Sequence, residues 1–193
     1  MSLMNIGIEV NYLTVNKYSR PGRELKSVDG IVIHWVANPK TSALDNWRFF
    51  DSRQYGGKGF GGAHYIVGLE GEVIQCMPTA EMAYHTGSKT YTDLAKEKFG
   101  TYPNNCTLGI EMCHIDWMGY FTMPTLQATA ELCRLLCNIY KLNSYEDVVT
   151  HHQVVGWKDC PRWFTNHPGD FVLFKQKIKE AMEGEHDIGS KTV

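Results

Sequence analysis

An α/β sheet protein built as one domain is what this sequence predicts, on three observations. Short β-branched runs alternate with stretches of helical periodicity along the chain. The 193 residues suit one domain with short flanking segments, taken as a lead-in over 1–26, a folded domain over 27–182 and a polar tail over 183–193. With 43% apolar and 21% charged residues, the composition is that of a globular chain with a sizeable core.

Residues 1–26 show no sustained periodicity, and Arg20-Pro21-Gly22 reads as a turn, so this segment is expected to hug the surface. Gly30 to Val36 has the β-branched density of a strand buried on both faces, interrupted by His34 near its C-terminal end. Thr41 or Ser42 can cap a short helix whose apolar face is Leu44, Trp47 and Phe50. Five glycines between Tyr55 and Gly62 make a flexible loop expected to border the working face. Ala63–Gly68 and Glu72–Met77, joined by Leu69-Glu70-Gly71, read as a hairpin.

From Pro78 to Asn105 only a short helix near Leu94 to Lys98 stands out. Thr107 to Cys113 is another apolar strand, with one carboxylate, Glu111, inside it. After the candidate N-cap Thr122, Leu126, Ala130, Cys133, Leu136, Cys137 and Tyr140 mark the clearest helix, with Cys133 and Cys137 as small core residues. Val148 to Thr150 forms a short strand leading into His151, and Gly156 and Pro161 keep the subsequent loop irregular. Asp170 can cap a last helix carrying Phe171, Phe174, Ile178 and Met182.

Nineteen basic against 21 acidic residues leave a net charge of −2, which carries no nucleic-acid footprint. The longest apolar run, Gly30 to Ala37, is too short to cross a bilayer, and the start of the sequence shows no basic segment followed by an apolar one. Six cysteines, irregularly spaced, do not suggest a disulfide framework.

The chemistry concentrates in His151-His152 and Cys160, joined by an irregular loop. A catalytic zinc wants three protein ligands of nitrogen or sulfur and one open position. Two are local here, and His34 can supply the third from the end of an apolar strand, where open sheets present functional groups. Spacing alone leaves the commoner alternative open, a buried histidine bonded to backbone.

The order of motifs is more specific. IVIHW, GGAHYIVGLEGEVIQCMP, AYHTG, NNCTLGIEMC, VVTHH and KDCP succeed one another over roughly residues 27–168. In that succession the chain resembles the type-2 N-acetylmuramoyl-L-alanine amidases, which include phage and prophage endolysins and are similar in fold to peptidoglycan recognition proteins. The resemblance implies an α/β domain with a central mixed β-sheet flanked by helices, one zinc ion, and cleavage of the amide between muramic acid and the stem peptide. It implies His34, His151 and Cys160 as zinc ligands, with His152, the neighbour that sequence alone does not separate from His151, in a supporting role. Glu111 matches the glutamate beside the metal, Lys158 the lysine facing the substrate carbonyl, and His85 and His64 are assigned to the substrate groove.

One position departs from the pattern. Many phage-type members have a catalytic tyrosine immediately before the histidine matching His64, and Ala63 stands there instead. Strand alternation should turn Tyr65 to the face opposite His64, which shifts the proton chemistry to Glu111. The implied partner is peptidoglycan, met by a monomer without nucleic acid or a membrane span. The resemblance implies action on the bacterial wall after lysis or non-classical export, with cytoplasmic recycling as the other setting. The rival readings are a peptidoglycan-binding module without turnover, which Cys160 argues against, and a zinc peptidase cutting within the stem, which lacks the usual HExxH helix.

Overall fold

The computed structural model describes residues 6–189, and their side chains as far as residue 183. Its centre is β2 (Gly30–Trp35), every residue of which is buried. It is flanked by parallel β5 (Thr107–Met112) and parallel β6 (Val148–Thr150). Beyond β5 lie β3 (Tyr65–Val67), its antiparallel hairpin partner β4 (Val73–Gln75), and β1 (Ile8–Val10), giving the order β1-β4-β3-β5-β2-β6. The sheet is therefore mixed, with the hairpin as its single antiparallel pair among the described residues.

Alternation along the strands sorts the side chains onto two faces. Ile31, Ile33 and Trp35 of β2, Leu108, Ile110 and Met112 of β5, and Tyr65 and Val67 of β3 enter one large apolar cluster. That cluster is closed by α3 (Met123–Tyr140), α5 (Arg162–Asn166) and α6 (Pro168–Gly189), through Leu132, Leu136, Phe164, Phe171 and Ile178. The opposite face carries two smaller clusters. One gathers Ile66 and Ile74 under α1 (Ala43–Asp51), and the other gathers Val32 and Val149 under α2 (Asp93–Phe99) and α4 (His151–Val155). His34, Glu111 and Gly109 belong to this second face by alternation, at the C-terminal side of the parallel strands.

Most expected elements stand, and the differences have local causes. The lead-in supplies the edge strand β1 and the buried Leu13, which a three-residue strand with an exposed Val10 does not advertise. In α1 the inward positions are Ala43, Asn46 and Phe50, while Leu44 is exposed. The face turns because the Asn46 amide donates to the Ser42 carbonyl at 2.9 Å and to Thr41 Oγ1 at 2.8 Å. Ser42, not Thr41, is the N-cap, in a reciprocal capping box with Asp45.

The stretch after β6 is helical at first and irregular only from Gly156 to Pro161. Thr150 and Gln153 form a second capping box that starts α4 at His151, and Gly156, at φ 79°, ends it. The last helix begins at Pro168, suited to a first-turn position, so Asp170 sits inside the first turn and not at the cap. That helix runs on to Gly189, into the segment read from sequence as a polar tail. Cys133 and Cys137 are buried free thiols. No helix among the described residues is long and apolar enough to cross a membrane.

Candidate active site

The register of the sheet assembles the site. β2 and β5 pair with His34 directly opposite Glu111, so an imidazole and a carboxyl emerge side by side from adjacent parallel strands. On the other side of β2, Ile33 is level with Thr150, which delivers His151 one residue beyond the end of β6. The α4 turn and the loop after Gly156 then return the chain, the Cys160 carbonyl accepting from the His152 N–H at 2.8 Å. As a result the ligand atoms of His34, His151 and Cys160 lie within 4.8 Å of one another, all buried. His34 Nδ1 stands 3.8 Å from Cys160 Sγ.

This trio fits a metal ion. Neither ring nitrogen of His151 has a hydrogen-bond partner among the described residues, although both are sealed from solvent. Buried polar atoms are normally paired, so two bare nitrogens facing a thiol and a second imidazole mark a place for a cation. The pKa values fit the same picture. Burial, with neighbouring Lys158, pushes His151 down to about 3, and burial holds His34 well below the ordinary histidine range. Both rings are therefore neutral, as ligation requires. Burial and nearby Glu111 push the Cys160 thiol up to about 12, so a thiolate there needs a strong positive charge beside it.

Glu111 is half-buried, and its Oε2 is sealed with no hydrogen-bond partner among the described residues. Burial pushes its pKa up to about 8, against the opposing charges of Lys158 and Arg53. Lys158 lies exposed on the loop after α4, and its side chain borders the same cavity of about 520 Å³ as the trio. The glycine-rich loop borders that cavity through Phe60, Gly61 and Gly62, as expected. Gly62 is required there, since a Cβ would meet the Ser19 carbonyl oxygen at 2.3 Å.

The N-acetylmuramoyl-L-alanine amidase family matches residues 24–163. This chain belongs to that family. It is 32% identical over 181 residues to the N-acetylmuramoyl-L-alanine amidase BlyA of Bacillus subtilis, a match that covers 91% of this chain and 47% of BlyA. The chain thus spans about half the length of the relatives it matches. Its fold is that of the catalytic domain of XlyA, with a TM-score of 0.65 at 23% identity over 90% of this chain and 99% of that one. The PlyG catalytic domain is similarly close, with a TM-score of 0.69 at 20% identity over 92% and 96%.

Within this amidase fold, six of the residues singled out by sequence, His34, His85, Glu111, His151, Lys158 and Cys160, line one cavity. His152 does not join them: its Nδ1 donates to the Lys158 carbonyl at 3.0 Å, which braces the loop. His64 is a correction. It is fully buried, its Nδ1 accepts from the Gly109 N–H at 3.0 Å and its Nε2 donates to the Glu81 carbonyl at 2.8 Å, so nothing is left for substrate. His85 lies in the cavity wall, but both its ring nitrogens are engaged within the protein. Ala63 is buried under α1, and Tyr65 is buried in the large cluster on the far side of the sheet, so neither reaches the cavity.

Sequence reading missed Arg53. It lies just after α1, lines the cavity, and carries a buried Nε with no hydrogen-bond partner among the described residues. Its Nη1 donates to the carbonyls of Lys58 and Gly59, tying the glycine-rich loop to the site. Only its place beside that loop could have drawn attention to it.

Proposed function

We propose that this chain is a zinc-dependent hydrolase that cleaves the amide between N-acetylmuramic acid and L-alanine of the peptidoglycan stem peptide. The observation that carries the reading is the buried His34, His151 and Cys160 trio with two unpartnered nitrogens, next to an unpartnered Glu111 carboxyl in one cavity. The names of the relatives, N-acetylmuramoyl-L-alanine amidases, support the choice of bond. Bacterial wall peptidoglycan is the corresponding substrate, and the bacterial wall the place of action.

In this reading His34, His151 and Cys160 hold one zinc ion. Bound with an open fourth position, zinc would lower the pKa of a water toward about 7 and polarise the scissile carbonyl. Glu111 accepts a proton from the attacking water and returns it to the amine as the carbon–nitrogen bond breaks. A carboxyl held above its ordinary range by burial suits both halves of that task near neutral pH. The Lys158 ammonium faces the negative charge that develops on the carbonyl oxygen, a role typically worth about 3 kcal/mol of barrier. The Arg53 guanidinium favours the ionised form of Glu111.

The test combines zinc analysis with digestion of purified sacculi and mass spectrometry of the new ends. Stoichiometric zinc, a freed muramic lactyl group and a new N-terminal alanine are expected. Internal peptide ends would make it a peptidase, and retained binding without new ends would make it a wall-binding module.

A further inference from the structure

One further imidazole, that of His85, stands directly behind the trio. His34 Nε2 is 3.0 Å from His85 Nδ1, and the two rings meet edge to face at 5.1 Å between centroids. On its far side, His85 Nε2 lies 3.1 Å from the Thr107 carbonyl oxygen and 3.2 Å from the Thr107 hydroxyl. That hydroxyl donates its only proton to the Pro103 carbonyl at 2.7 Å. Both groups facing His85 Nε2 can therefore only accept, so this nitrogen must carry the ring proton. The Nδ1 of a neutral His85 is then a bare acceptor. It follows that the proton of His34 sits on Nε2, which leaves the His34 Nδ1 lone pair directed to the side where Cys160 Sγ lies.

We infer that His85 is a positioning residue for the metal centre: it fixes the tautomer and the ring plane of His34 through a relay that ends on the backbone of β5. The inference rests on the reading of the trio as a zinc site. Metal-binding histidines commonly donate their second nitrogen to an oxygen acceptor, and such partners typically affect affinity by about 10–100-fold. Here the acceptor is another imidazole, and the fold is built to hold it. Asn104 Oδ1 accepts from the backbone N–H groups of both His85, at 3.1 Å, and Thr86, at 2.8 Å. Gly109 leaves the space the ring occupies, since a Cβ there would stand 2.7 Å from His85 Cγ. The same Gly109 N–H is held by His64, which gives that buried histidine its place in the architecture.

The experiment compares the wild-type chain with His85→Phe, which fills the space without an acceptor, and His85→Asn, whose Oδ1 falls near the former Nδ1. Zinc affinity is read by competition with a chromophoric chelator, and the visible spectrum is read after substitution with Co²⁺. His85→Phe should bind zinc about 10–100-fold more weakly and alter the cobalt bands, and His85→Asn should recover part of the loss. A Phe variant within threefold of wild type, or an Asn variant as weak as the Phe variant, overturns the relay. A wild type that takes up no zinc overturns both the relay and the reading beneath it. A readout that needs no variant is the long-range ¹H–¹⁵N spectrum of the wild type. It should show His34 and His85 both protonated at Nε2, and a proton on His34 Nδ1 refutes the inference.

Discussion

At the scale of single residues, the site divides into groups that hold and groups that react. Replacing Cys160 with Ala removes one of the three proposed ligands, so zinc content and activity should both drop sharply, as read by atomic absorption and release of stem peptide. Glu111→Gln leaves the trio intact: zinc should be retained while kcat falls about 10²–10⁴-fold, the typical contribution of a positioned acid–base group. A Glu111→Gln protein that turns over sacculi at the wild-type rate would remove this carboxyl from the reaction. The visibility of these residues in the sequence comes from contrast. His34 and Glu111 are conspicuous because each interrupts an apolar strand, where a charged or polar group has to be explained by a partner. Arg53 stands among other polar residues and offers no such contrast. His64 misleads for the opposite reason: it adjoins the right motif, yet its two ring bonds make it a fastener between β5 and the Glu81 carbonyl.

At the scale of elements, the capping boxes do more than start helices. Thr150 accepts from the Gln153 N–H at 3.1 Å and so fixes the turn in which His151 is the first helical residue. Thr150→Ala should cost about 1 kcal/mol of stability by loss of the cap and also weaken zinc binding, measured by urea unfolding and chelator competition. The matching change at Ser42, which caps α1, should cost a similar amount of stability and leave zinc binding unchanged, because α1 contributes no ligand. Long elements are legible from periodicity alone: α3 runs from the expected cap at Thr122, and β2 and β5 fall where the apolar runs lie. The five-residue helices α4 and α5 and the three-residue β1 are not, since one helical turn or one strand repeat is too short to establish a period.

At the scale of the whole molecule, burial of ionisable groups makes the zinc-free protein sensitive to pH from both sides. His151 ordinarily titrates near 6.5 and is held at about 3, so its contribution to stability is present above pH 6.5 and is lost as the pH falls toward 3. Glu111 runs the other way: ordinarily near 4.5 and held at about 8, it contributes below pH 4.5 and loses that contribution as the pH rises through 8. His34, His64 and His85 are likewise held below the ordinary histidine range by burial, so the histidines together outweigh Glu111 and denaturant titrations of the zinc-free protein should show stability falling on acidification below about 6. The zinc-free Glu111→Gln protein should gain on wild type steadily between pH 5 and 8, and parallel curves for the two would contradict the placement of this carboxyl in a low-dielectric pocket.

The threefold origin of the metal trio also has a bearing on synthesis. His34 belongs to the first strand of the sheet's centre, while His151 and Cys160 arrive 117 and 126 positions later. If these three side chains hold the zinc as proposed, a nascent chain that has not yet passed position 160 owns an incomplete set of donors and should be inert however well its early strands have collapsed. For an enzyme read as digesting bacterial walls, competence appears only after the ribosome has delivered that cysteine.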